Sequence, residues 1–74
     1  MEVTDYFRRQ VLDNSERPDI TQEMCERVVE SAEHVVKQPN GRYAFWGRPG
    51  GRSLYLRVDV TGNRRALHNA FHEG

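Results

Sequence analysis

Apolar residues in the first third of the chain recur at helical spacing, and in the last half they alternate. Val3, Phe7 and Val11 stand four apart with Tyr6 beside them, which predicts a short amphipathic helix. "DNSERPD", with its turn formers and Pro18, ends it. The clearest helix follows in "ITQEMCERVVESAEHVV". Thr21 is a good N-cap, Glu23 puts a negative charge in the first turn, and Ile20 can staple onto Cys25. Met24, Cys25, Val28, Val29 and Ala32 make one apolar stripe, and Glu23, Glu26, Arg27, Glu30 and Glu33 face outward.

After Ala32 the period changes. "HVVKQ" is short and β-rich, "PNG" is a turn, and "RYAFWG" holds aromatic strand formers. Past the loop "RPGG", "RSLYLRVDV" is the strongest strand: Leu54, Leu56, Val58 and Val60 alternate with Ser53, Tyr55, Arg57 and Asp59. "TGN" turns the chain into a last strand, "RALHNAFH". The expected fold is α+β, with two N-terminal helices packed on one face of a three- to four-stranded antiparallel sheet. One domain accounts for all 74 residues.

With unbroken ladders, period two assigns the faces. Tyr43, Phe45, Leu54, Leu56, Val58, Val60, Leu67, Asn69 and Phe71 would meet the helices. Arg42, Ala44, Trp46, Tyr55, Arg57, Asp59, Ala66, His68, Ala70 and His72 would share the open face. Arginine binds phosphate, aromatic rings stack on bases, and histidine transfers protons near neutral pH. The open face therefore reads as a surface for single-stranded RNA, as an interface anchored by Trp, Tyr and Arg, or as a solvated outer layer.

Formal net charge is zero but divided. Residues 1–36 hold nine acids and four bases, net −5; residues 37–72 hold seven bases and the single acid Asp59, net +6. The basic half can meet an anion, or its arginines simply line solvated loops. Other chemistries find no pattern. The lone Cys25 cannot close an internal disulfide and reads as a packed small hydrophobe. His68 and His72 lie roughly 13 Å apart in a strand, too far to share a metal. His34 reads as a cation at a helix C-terminus, and "RPGGR" lacks the lysine and spacing of a phosphate loop. No metal and no cofactor is expected. "MEVTDYFRRQ" has no apolar core of a signal peptide and no stretch spans a membrane, so the expected location is cytoplasmic. A chain this small buries only roughly 60% of its unfolded surface, which favours a partner, including a second copy in a homodimer.

"RPDIT…E…V", "QPNGRYAFWG", "YLRVDV" and "LHNAF" together resemble a family of small bacterial proteins that is similar in element order to the RelE/ParE/BrnT-like toxins of type II toxin–antitoxin pairs. The resemblance covers roughly residues 17 to 71 and rests on Arg17, Gln38, Gly41, Arg42, Trp46, Leu56, Arg57, His68, Asn69, Ala70 and Phe71. It implies a toxin-like domain held by an antitoxin-like small protein from the adjacent gene. It also implies a metal-independent endoribonuclease acting on messenger RNA, with the ribosome as a further partner. On that reading His68 is the general base or acid, Arg57 and Arg42 stabilise charge on the phosphate, and Trp46, Tyr55 and His72 contact RNA. The alternatives are a non-catalytic protein-binding module and a small oligomeric scaffold.

Overall fold

The computed structural model describes residues 1–73. Strand β1 (Glu2–Val3) leads into helix α1 (Asp5–Phe7), which continues as a π-helical turn at Arg8–Leu12. Helix α2 (Gln22–Glu30) precedes β2 (His34–Lys37), β3 (Tyr43–Gly47), β4 (Tyr55–Val60) and β5 (Ala66–Glu73). The strands form one sheet in the order β1-β5-β4-β3-β2. β2 to β5 are an antiparallel meander, while β1 lies parallel to β5, with Glu2 across from Ala66 and Val3 across from Leu67.

This overturns the expected arrangement of two N-terminal helices on an antiparallel sheet of three or four strands. The sheet is mixed and has five strands, because a strand precedes the first helix. Two residues are too few to show a period, and their partner lies at the far end of the chain. The first helix is α-helical for only three residues. Two edges shift as well. His34 is not at a helix C-terminus but opens β2 opposite Trp46, and Leu54 lies ahead of β4 and is 49% exposed.

Side chains close both helix starts. The Thr4 hydroxyl accepts from the Phe7 amide at 3.0 Å, and the Thr21 hydroxyl accepts from the Met24 amide at 3.2 Å. Phe7, Val11, Ile20, Cys25 and Val28 then meet Phe45, Leu56, Val58, Val60, Leu67 and Ala70 in a single core. Each fully buried aliphatic side chain there contributes about 1.5–3 kcal/mol. Cys25 is fully buried, and burial pushes its thiol up to about 12. A disulfide reagent such as DTNB should leave Cys25 unmodified in the native protein and titrate it fully in denaturant; rapid stoichiometric labelling of the native protein would contradict this placement.

The two hairpin turns at one end of the sheet touch. A Cβ on Gly62 would lie 2.9 Å from the Gly41 carbonyl oxygen, and Gly41 itself has φ +86°. Gly62→Ala is therefore expected to cost about 1–3 kcal/mol, because one backbone must move off the other. Thermal melts read this as a fall in Tm; an unchanged Tm would mean that the turns do not bear on each other.

The sheet's two edges differ. On the β5 side, β1 covers the first residues, and beyond it the Ala70 amide donates to the Asn69 side-chain oxygen while the Ala70 carbonyl accepts from Arg17. On the other side every residue of β2 is exposed, Val35 and Val36 at 48% each, and no described strand pairs with its outer edge. No helix among the described residues is long and apolar enough to cross a membrane.

Candidate functional site

A bulge in β5 decides which side chains reach the open face. β4 and β5 pair from Tyr55–Glu73 through Asp59–Asn69, and the next pair is Val60–Leu67, so His68 is an extra residue without a partner. Past His68 the alternation is inverted. Asn69 and Phe71, expected toward the helices, instead stand across from Asp59 and Arg57; Ala70, expected on the open face, is fully buried against the core. His72 moves with Ala70.

His72 accordingly leaves the set of RNA-contacting candidates. Its Nε2 lies 2.8 Å from the Asp19 carboxylate, which also accepts from Arg52 at 3.1 Å. His72 Nδ1 is buried with no hydrogen-bond partner among the described residues, and Nε2 is engaged by Asp19. The bond from His72 holds the Asp19 carboxyl below its ordinary value, assisted by Arg52 and opposed by partial desolvation.

The other five candidates share the open face in two neighbourhoods. In the first, Trp46, Arg57 and Phe71 are successive cross-strand partners, with the Arg57 guanidinium 5.2 Å from the Trp46 ring and 5.4 Å from the Phe71 ring. Arg57 is also ion-paired with Asp59 at 3.0 Å and Glu73 at 3.8 Å, and the Trp46 indole donates to Glu73 at 3.1 Å. Arg57 is thus neutralised in place and organises the aromatic stack. Tyr55 borders this group. Its hydroxyl donates to Glu33 at 3.0 Å and the Arg48 guanidinium lies 4.8 Å from its ring. Arg48, and then the Tyr55 hydroxyl, hold the Glu33 carboxyl below its ordinary value. His34, Val36, Trp46, Tyr55 and Glu73 line a shallow groove beside β2.

The second neighbourhood belongs to His68. Its ring stacks on Tyr6 at 4.9 Å with 15° between planes, and its Nδ1 lies 3.1 Å from the Thr4 hydroxyl. Burial lowers the His68 pKa from the ordinary 6.5, the Arg42 charge lowers it further, and Asp59 partly opposes them. The imidazole is held toward its neutral form. Arg42 makes no ion pair among the described residues; its backbone is engaged, the amide donating to the Asn40 side-chain oxygen and the carbonyl accepting from the Gln38 amide. The geometry therefore brings an imidazole held toward its neutral form and a guanidinium with no ion pair among the described residues to the same end of the face. It does not bring Arg57 to them as a third free charge, although Asp59 bridges the two groups by pairing with Arg57 and acting on His68.

Thr4 and Tyr6 are the site residues that sequence reasoning missed. Nothing in their spacing points to His68, because they reach it through the parallel pairing of β1 with β5. Asp59 was legible as a member of the open face, two residues from Arg57, but its role as that arginine's partner needed the side-chain geometry. Among the described residues no three His, Cys, Asp or Glu side chains converge as a metal site. The chain matches no protein-family model, no curated protein and no solved structure.

Proposed function

We propose that the chain is the toxin of a type II toxin–antitoxin pair and acts as a metal-independent endoribonuclease through the open sheet face. The observation that carries this reading is that His68, at the bulge of β5 and held toward its neutral form, lies near enough for the Arg42 charge to act on it, while Arg42 makes no ion pair among the described residues. In the reaction His68 Nε2 takes the proton of an RNA 2′-hydroxyl. The 2′-oxygen bonds to the adjacent phosphorus, the bond to the 5′-oxygen breaks, and that oxygen leaves with the proton returned by the imidazolium. Arg42 balances the charge that grows on the phosphate oxygens. Arg57, engaged by Asp59 and Glu73, is a positioning residue that sets the Trp46 ring against which a base can stack. The test compares growth arrest and RNA cleavage by the wild type, His68→Ala, Arg42→Ala and Arg57→Ala. Loss in the first two, with weakened substrate binding in the third, supports the assignment; four equal activities reject it.

The bare β2 edge favours a second reading, a protein-binding module in which a partner strand adds to β2 and covers Val35, Val36 and the groove beside them. The product of the adjacent gene is the natural bait. A complex that protects β2 amides from hydrogen exchange, with no RNA cleavage by the freed protein, supports this reading over the first.

A further inference from the structure

We infer that the end of the sheet where the two hairpin turns meet binds the phosphate backbone of single-stranded RNA. The inference takes its ligand class from the ribonuclease reading and assigns a separate set of residues to holding the strand.

Of the seven bases in the second half of the chain, Arg48, Arg52 and Arg57 are ion-paired. The other four, Lys37, Arg42, Arg64 and Arg65, make no ion pair among the described residues, and all four gather at this end. Tyr43 is the centre. The Arg64 guanidinium lies 4.0 Å from its ring, Lys37 Nζ lies 5.9 Å from it, and Arg42 precedes it in the chain. Arg65 follows Arg64 in the second turn, which is seated on the first through the Gly62–Gly41 contact. Two acids are near in register. Asp59 is already held by Arg57, and Glu2, across from Ala66, makes no ion pair among the described residues. The balance stays strongly positive.

The patch is also organised before any ligand arrives. The Thr61 hydroxyl donates to the Asn63 side-chain oxygen at 2.6 Å and accepts from the Ala66 amide at 3.2 Å. The same Asn63 oxygen accepts from the Arg65 amide at 3.0 Å, and the Arg64 amide donates to the Thr61 carbonyl at 2.8 Å. Arg64 adopts φ +60°, a left-handed conformation that this network sustains and that sends its side chain onto Tyr43. A guanidinium stacked on an aromatic ring still presents its N–H edge to phosphate. The four charges spread over two turns and do not converge on a point, which suits successive phosphates of a strand better than one small anion. Arg42 joins the patch to His68, so a strand lying along the turns passes the imidazole.

Fluorescence anisotropy with a labelled 2′-O-methyl oligoribonucleotide, which lacks the attacking hydroxyl, measures binding apart from cleavage. Over a series of KCl concentrations, four phosphate contacts predict that log affinity falls with log salt at a slope of about −3. Arg64→Ala/Arg65→Ala should make that slope shallower by about 1.4 and weaken binding about tenfold. Arg64→Lys/Arg65→Lys should keep the slope. An Ala double variant with wild-type slope and affinity overturns the inference, as does a wild type with no salt-dependent binding. Cleavage assays on unmodified RNA separate the two claims. Undiminished cleavage by the Ala double variant removes the strand site and leaves the ribonuclease reading intact. Binding through Arg64 and Arg65 without any cleavage does the reverse.

Discussion

Phe7→Ala is expected to cost about 3–5 kcal/mol of folding stability, the largest loss from a single core substitution in this chain. Phe7 is fully buried and heads the core side chains by volume. It sits where α1 is only three residues long, so the helix has little stability of its own and is held by what it packs against. α1 packs on the π-helical turn and on β5, which bring Val11, Leu67 and Ala70 to the same core, so the cavity would open between the N-terminal segment and the last strand. A domain of this size has few kilocalories to lose. Tm should fall by more than about 12 °C, given about 4–8 °C per kcal/mol at this length. Circular dichroism melts read the change, and a fall of only a few degrees would mean that the site collapses around the smaller side chain.

His68→Ala should reduce RNA cleavage by about 10²- to 10⁴-fold, the usual contribution of a positioned general base. The base must be Nε2, since Nδ1 faces the Thr4 hydroxyl at 3.1 Å. That requires the Nδ1–H tautomer, with Thr4 accepting a second hydrogen bond beside the one from Phe7. The pH dependence carries a sign. Burial first and the Arg42 charge second lower the His68 pKa, so the neutral base persists below the ordinary 6.5 and the acid limb of the rate profile should lie below that value. Arg42→Ala removes one of the two lowering causes and should move the limb upward, in addition to slowing the reaction. The same depression links to folding. The stability contributed by neutral His68 is complete above 6.5 and is lost as pH falls through the lower native value. Cleavage by His68→Ala within a few-fold of the wild type would reject the residue as the base.

Alternation made the central strand legible. Leu56, Val58 and Val60 lie inside, and Tyr55, Arg57 and Asp59 point the other way, as their spacing requires. The cap at Thr21 and the buried stripe through Cys25 and Val28 were equally readable, because each depends on residues within one or two turns. What escaped depends on distant pairings or on a count of one. β1 exists only because Ala66 and Leu67 are there to receive it. The bulge at His68 leaves no mark in "LHNAFH", yet it exchanges the faces of Asn69, Ala70, Phe71 and His72. His68 kept its place beside Arg42 and Asp59 while His72 lost its place to Asp19. Charge was legible in total but not in pairing. Nothing in the sequence separates Arg57, engaged by two carboxylates, from Arg42, which makes no ion pair among the described residues.

The unequal edges of the sheet give the molecule a valence. Backbone pairing that extends a sheet needs an open ladder, and among the described residues β2 offers the longer one, four residues against the two of β1, while Arg17 and Asn69 engage Ala70 beyond β1. Once that ladder is filled, strand addition has only the two-residue edge of β1 left to extend. Two copies joined through β2 would present only their short β1 edges outward, and a partner protein's strand in the same place would leave the same short edge. The exposed valines of β2 therefore favour a pair over a ribbon, because the edge left after pairing is short.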